Sequence, residues 1–131
     1  MGCVAGRLVL DSGALIGWQR KDRTVWRHVT DAIQRDAMVV VPAVVIAECI
    51  RGGGSDAPIH RLLVNARVPI VGKRAAMQAG RLLGIAAMSA TIDAFVAAEA
   101  IRGGPCVLLT SDPDDMESLV GRRPYVEIVA V

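Results

Sequence analysis

Three runs of consecutive aliphatic residues, Leu8-Val9-Leu10, Met38-Val39-Val40-Val41 and Val107-Leu108-Leu109, constrain the fold of this chain more than any other feature. A strand with one wet face alternates apolar and polar residues, whereas a strand covered on both faces stays apolar throughout. Helical spacing separates the runs, most clearly over residues 23–35, where Val25, Trp26, Val29, Ala32 and Ile33 recur at the period of a helix. Buried strands alternating with helices predict an α/β fold whose parallel sheet is covered on both sides.

The remaining elements follow from breakers and caps. Residues 14–20 suit a short helix, and Pro42 suits the opening of a helix that carries Glu48 and stops at Gly52-Gly53-Gly54. Asp56-Ala57-Pro58 has the order of an N-cap before a helix ending near Asn65, and residues 68–71 are a weak strand candidate. An Ala- and Leu-rich segment follows over residues 73–88. Thr91 then reads as the cap of a helix running to Arg102, which puts Asp93 in a first turn where the helix dipole favours negative charge. A strand over residues 106–110, a short helix over 113–119 and a closing strand over 125–131 complete the chain.

At 131 residues, one domain with one core is expected. Aromatic residues make up only 3 % of a chain that is 53 % hydrophobic, so that core is aliphatic. No run approaches the roughly 20 apolar residues of a membrane span, and the first residues lack the pattern of a secretory leader, so a cytoplasmic protein is expected. Cys3, Cys49 and Cys106 fit neither a disulfide framework nor a zinc site, and the latter two read as inert core thiols. His28 and His60 lack metal-ligand spacing. Arg20, Lys21, Arg23 and Arg27, interleaved with Trp18 and Trp26, read either as a nucleic-acid footprint or as a solvated helix face over two core tryptophans.

The chemistry lies in the acids. Asp11 ends the first apolar run, Glu48 interrupts Val44-Val45-Ile46-Ala47, Asp93 sits in Ile92-Asp93-Ala94-Phe95-Val96, and Asp112 closes Leu108-Leu109-Thr110-Ser111. A carboxylate among aliphatic residues pays for desolvation unless something compensates it. Parallel sheets bind ligands beyond the carboxyl ends of their strands, where Asp11 and Asp112 fall by sequence order. An all-oxygen set suits Mg²⁺ or Mn²⁺ and argues against zinc. Asp114, Asp115 and Glu117 read as first-turn helix charges, with Asp115 in reach of the same site. Other templates fail, since Gly52-Gly53-Gly54 lacks the Lys-Ser/Thr of a P-loop and no histidine accompanies Ser12.

Taken in order, Leu8-Val9-Leu10-Asp11-Ser12-Gly13-Ala14-Leu15, Ala47-Glu48, Ile92-Asp93-Ala94-Phe95-Val96-Ala97-Ala98 and Leu108-Leu109-Thr110-Ser111-Asp112-Pro113-Asp114-Asp115 resemble the PIN-domain ribonucleases, and within them the VapC toxins of type II toxin–antitoxin pairs. The resemblance implies a three-layer α/β/α domain and a Mg²⁺- or Mn²⁺-dependent endoribonuclease that cuts RNA. It also implies a homodimer silenced by a cognate antitoxin. By position, Asp11, Glu48, Asp93 and Asp112 carry over as the acidic site, and Thr110 as the hydroxyl beside the last acid.

Asp11 and Asp93 are the first choices as metal ligands, with Glu48 and Asp112 completing the set and Asp115 a rival to Asp112. One departure stands out: where the family often has a hydroxyl two residues after the first acid, this chain has Gly13. The alternatives are a PIN nuclease of RNA processing and a PIN-like domain that only binds RNA or protein. The intact acid set argues against the second, and the short chain favours the toxin over the first.

Overall fold

The computed structural model describes residues 6–131, so Cys3 and the leader region lie outside the described residues. The three apolar runs form β1 (Arg7–Leu10), β2 (Met38–Val40) and β3 (Cys106–Thr110), and the chain closes with β4 (Val126–Ala130). All pairings are parallel, in the order β2-β1-β3-β4. Val9, Leu10, Leu108 and Leu109 are completely buried, as continuous apolar strands between two helical layers must be.

Among the described residues, seven α-helices flank the sheet, giving the three-layer α/β/α architecture: α1 (Ser12–Gln19), α2 (Arg23–Gln34), α3 (Ala43–Cys49), α4 (Ala57–Leu63), α5 (Lys73–Ala86), α6 (Thr91–Arg102) and α7 (Pro113–Val120). One helical group joins α1 to α2, α3 and α4, and the other joins α5, α6 and α7. Among the described residues, no single helix is long and apolar enough to cross a membrane.

Four expectations change. Residues 68–71 form no strand; the chain there touches β2 only through a bridge between Val40 and Arg67, and Pro69 has no N–H to extend it. The helix carrying Glu48 ends at Cys49, before the glycines, with Pro42 as its N-cap and Ile50 turning to an extended conformation. Ala90, not Thr91, occupies the N-cap of α6, and the Thr91 hydroxyl donates instead to the Ser89 carbonyl. Asp56 precedes α4 but makes no cap bond to it. Its buried carboxylate turns back and accepts from the Arg51 and Gly52 backbone N–H groups at 3.0 and 2.7 Å. This staples the loop after α3, where Gly52 takes a φ of +90°.

The tryptophans are not both core residues. Trp18 is half-buried and donates its indole N–H to the Pro58 carbonyl, while Trp26 is 39 % exposed and stacks on Trp18 with ring centres 4.6 Å apart. A buried Glu99 on α6 pairs with Arg7 and Arg102, closing the end of the sheet opposite the acids.

Candidate active site

The strand order reverses between β1 and β3: from β1 the chain moves to one edge, and from β3 to the other. The carboxyl ends of two such strands open a crevice, the usual ligand position in an open parallel sheet. Asp11 leaves β1 there, and Thr110-Ser111-Asp112 leaves β3 beside it, since Asp11 N–H donates to the Leu109 carbonyl.

Asp11 is the most constrained acid of the site. Only 2 % exposed, it is the N-cap of α1, with Oδ1 accepting from Ala14 N–H at 2.8 Å. Oδ2 accepts from Ser111 N–H at 3.3 Å, and the nearby Thr110 hydroxyl favours the ionised form of this carboxylate. Burial pushes the Asp11 pKa up despite these bonds, and Asp112 pushes it further. The same Thr110 oxygen accepts from Asp112 N–H at 2.8 Å, so one buried hydroxyl ties together the two strand-end acids.

Asp93, Asp112 and Asp115 come from the first turn of α6, the N-cap of α7 and the first turn of α7. One carboxylate oxygen from each lies within 4.8 Å of the other two. Asp93 is raised to about 6, first by burial and then by the charges of Asp11, Asp112, Asp115 and Glu48. All five acids singled out in the sequence therefore act on one point. Asp112 and Asp115 both lie close to Asp93.

Only Asp11 fits the expectation of a carboxylate sunk in apolar surroundings. Glu48 and Asp112 are exposed and Asp93 is half-buried. The reason for Glu48 lies in helix geometry: α3 buries Val45 and Cys49, four residues apart, which turns Glu48 outward. There it accepts a hydrogen bond from the Ser12 hydroxyl. Ser12 thus aligns an acid of α3 over the start of α1. Cys49 and Cys106 are buried, and burial pushes the Cys49 thiol up to about 11, as befits inert core residues.

The donor set fits a hard divalent cation. Oxygens sharing one Mg²⁺ at about 2.1 Å lie roughly 3–4.2 Å apart in an octahedron, so the 4.8 Å bound is met by small carboxylate rotations. Nitrogen and sulfur ligands are missing from the cluster, as such an ion prefers.

A family model, the PIN domain, matches residues 8–119 and so spans all five acids. The chain belongs to the PIN-domain family. No curated protein matches the sequence. Among solved structures, VapBC2 from Rickettsia felis bound to a DNA fragment from its promoter is similar at a TM-score of 0.67 and 11 % identity, covering 95 % of this chain and 98 % of that one. FitAcB from Neisseria gonorrhoeae is similar at a TM-score of 0.64 and 17 % identity, covering 92 % and 95 %. At these identities the likeness concerns the fold.

Sequence reasoning did not single out Ser111, whose N–H bonds Asp11 and whose side chain lies against Gly13. Its signal was present in Gly13, a helical glycine without a turn to explain it.

Proposed function

We propose that this PIN domain is a metal-dependent endoribonuclease of the VapC type, acting as a toxin that a cognate antitoxin neutralises. The observation that carries this reading is the cluster of Asp93, Asp112 and Asp115 beside buried Asp11, at the carboxyl ends of β1 and β3. Asp93, Asp112 and Asp115 would hold Mg²⁺ or Mn²⁺, with Asp11 and Glu48 adjoining. A bound divalent ion supplies a water of lowered pKa and neutralises charge on a phosphodiester. The chain's own part is to fix the donors. Thr110 and the α1 N-terminus hold Asp11 ionisable but immobile, and Ser12 orients Glu48.

RNA would leave the site along α1. An open groove of about 550 Å³ is lined by Gln19, Arg20, Lys21 and Arg61, with no carboxylate on its walls. The exposed Trp26 ring, stacked on Trp18, follows Arg20 and Lys21 in the sequence and suits stacking by an unpaired base. The similarity in fold to VapBC2 supports an antitoxin partner. A homodimer completes the reading, and the exposed Met77 and Ile85 on α5 supply an apolar face for it.

Brief expression in cells, followed by mapping of RNA ends, tests the proposal. Wild type should create new 5′ ends and arrest growth, Asp93→Asn should do neither, and the small adjacent gene should relieve the arrest. New ends without growth arrest would favour an RNA-processing nuclease, and no new ends would reject both.

A further inference from the structure

Three hydroxyls surround Asp11, and two of them are engaged. Ser12 donates to Glu48, and Thr110, fully buried, lies near Asp11 and accepts from Asp112 N–H. The third, Ser111, is exposed, and its hydroxyl has no hydrogen-bond partner among the described residues. Its backbone N–H is held by Asp11 Oδ2, its side chain lies against Gly13 in the first turn of α1, and Asp112 of the cluster is the next residue in the chain.

Gly13 shows that this place is reserved. It lies in the first turn of α1 and has no left-handed φ that would require glycine. Glycine within a helix costs up to about 1 kcal/mol relative to alanine, and unlike Gly80 and Gly84 of α5, which have open space around them, Gly13 has a packing reason. That reason is contact: a Cβ built on Gly13 would fall 2.5 Å from Ser111 Cβ and closer still to Ser111 Oγ. Ser111 occupies the volume that a side chain at position 13 would fill. The two positions share room for one hydroxymethyl group, and here position 111 provides it.

An acid cluster alone repels a phosphodiester. A lysine or arginine placed among the acids would pair with them and compete with a cation. A neutral hydroxyl can donate to a phosphate oxygen without that competition. We propose that Ser111 Oγ donates a hydrogen bond to a non-bridging oxygen of the RNA phosphodiester, and that Gly13 is glycine to make room for it. This inference rests on the ribonuclease reading above. A bond that strengthens as charge builds on the phosphate acts on kcat more than on KM.

The test uses four purified variants, Ser111→Ala, Ser111→Gly, Gly13→Ser and the double variant Gly13→Ser/Ser111→Gly. Each is assayed for cleavage of a single-stranded RNA oligonucleotide with Mn²⁺ and for melting temperature with and without Mn²⁺. Ser111→Ala should lower kcat roughly 10- to 100-fold while keeping the Mn²⁺-dependent rise in melting temperature. Gly13→Ser alone should melt lower and cut poorly, because two side chains then claim one space. The double variant should regain the melting temperature of wild type and cut faster than either Gly13→Ser or Ser111→Gly, since the hydroxyl arrives from the other side.

Wild-type cutting by Ser111→Ala would overturn the proposal and leave the ribonuclease reading intact. Loss of the Mn²⁺ effect in Ser111→Ala would also overturn it, by placing the residue at the cation instead of the RNA. A wild type that cuts no RNA would defeat the ribonuclease reading and this role together.

Discussion

The Asp93 carboxylate on α6 faces that of Asp115 on α7, with an oxygen of each no more than 4.8 Å from the other. Two like charges so close are unfavourable without a cation between or beside them. Both are placed by the first turns of helices that pack together, so neither can withdraw far without unwinding a helix start.

A divalent cation should therefore stabilise the fold. At a hundred times its Kd, Mn²⁺ or Mg²⁺ should add about 2.7 kcal/mol, which for a chain of this size raises the melting temperature by roughly 8–10 °C. EDTA should reverse the rise, and Asp93→Asn should remove most of it. An equal rise in Asp93→Asn would place the cation elsewhere.

The pH dependence follows from Asp93. Its pKa is 3.8 in an unfolded chain and about 6 in the folded one, so between those values the folded state binds the extra proton. Protonation therefore favours the fold, and this contribution is lost as pH rises from about 4 through 6. Without metal, Asp93→Asn should melt above wild type at pH 7.5, and the two should converge near pH 4. Because the cation needs the ionised form, metal affinity should fall as pH drops through 6. Thermal melts in EDTA across this range check both signs; Asp93→Asn melting below wild type at pH 7.5 would contradict the crowding.

Asp56 is a structural acid. Its buried carboxylate holds the Arg51 and Gly52 N–H groups, so Asp56→Ala leaves both donors unpaired. A loss of about 2–3 kcal/mol is expected in urea unfolding. Asp11→Asn, which keeps its shape at the α1 cap, should cost less.

The groove along α1 predicts salt-sensitive RNA binding. Each phosphate contact on a single strand contributes about −0.7 to the slope of log K against log salt. Replacing Arg20, Lys21 and Arg61 with alanine should flatten that slope by about 2 and raise KM with little change in kcat. An unaltered slope would remove this groove from the RNA path.

Much of this architecture was legible because local sequence and tertiary context agree. Leu8-Val9-Leu10 and Val107-Leu108-Leu109 are apolar throughout because both faces of their strands are covered, and their adjacency brings Asp11 to the end of β3. What escaped depends on partners far along the chain. Asp56 reads as an N-cap locally, yet the loop at Arg51 and Gly52 takes its carboxylate. The exposure of Glu48 is decided by which face of α3 packs, and Gly13 acquires its meaning only beside Ser111, 98 positions away. Residues 68–71 carry apolar side chains like a strand, but Pro69 and the single bridge at Arg67 stop the sheet there.

Cleavage of a defined RNA by purified protein tests the central claim most directly. With Mn²⁺ the wild type should cut, EDTA should stop it, and Asp11→Asn and Asp93→Asn should each lower the rate at least a hundredfold while staying folded. Cutting that persists in EDTA, or in folded Asp93→Asn, would contradict a ribonuclease built on these acids.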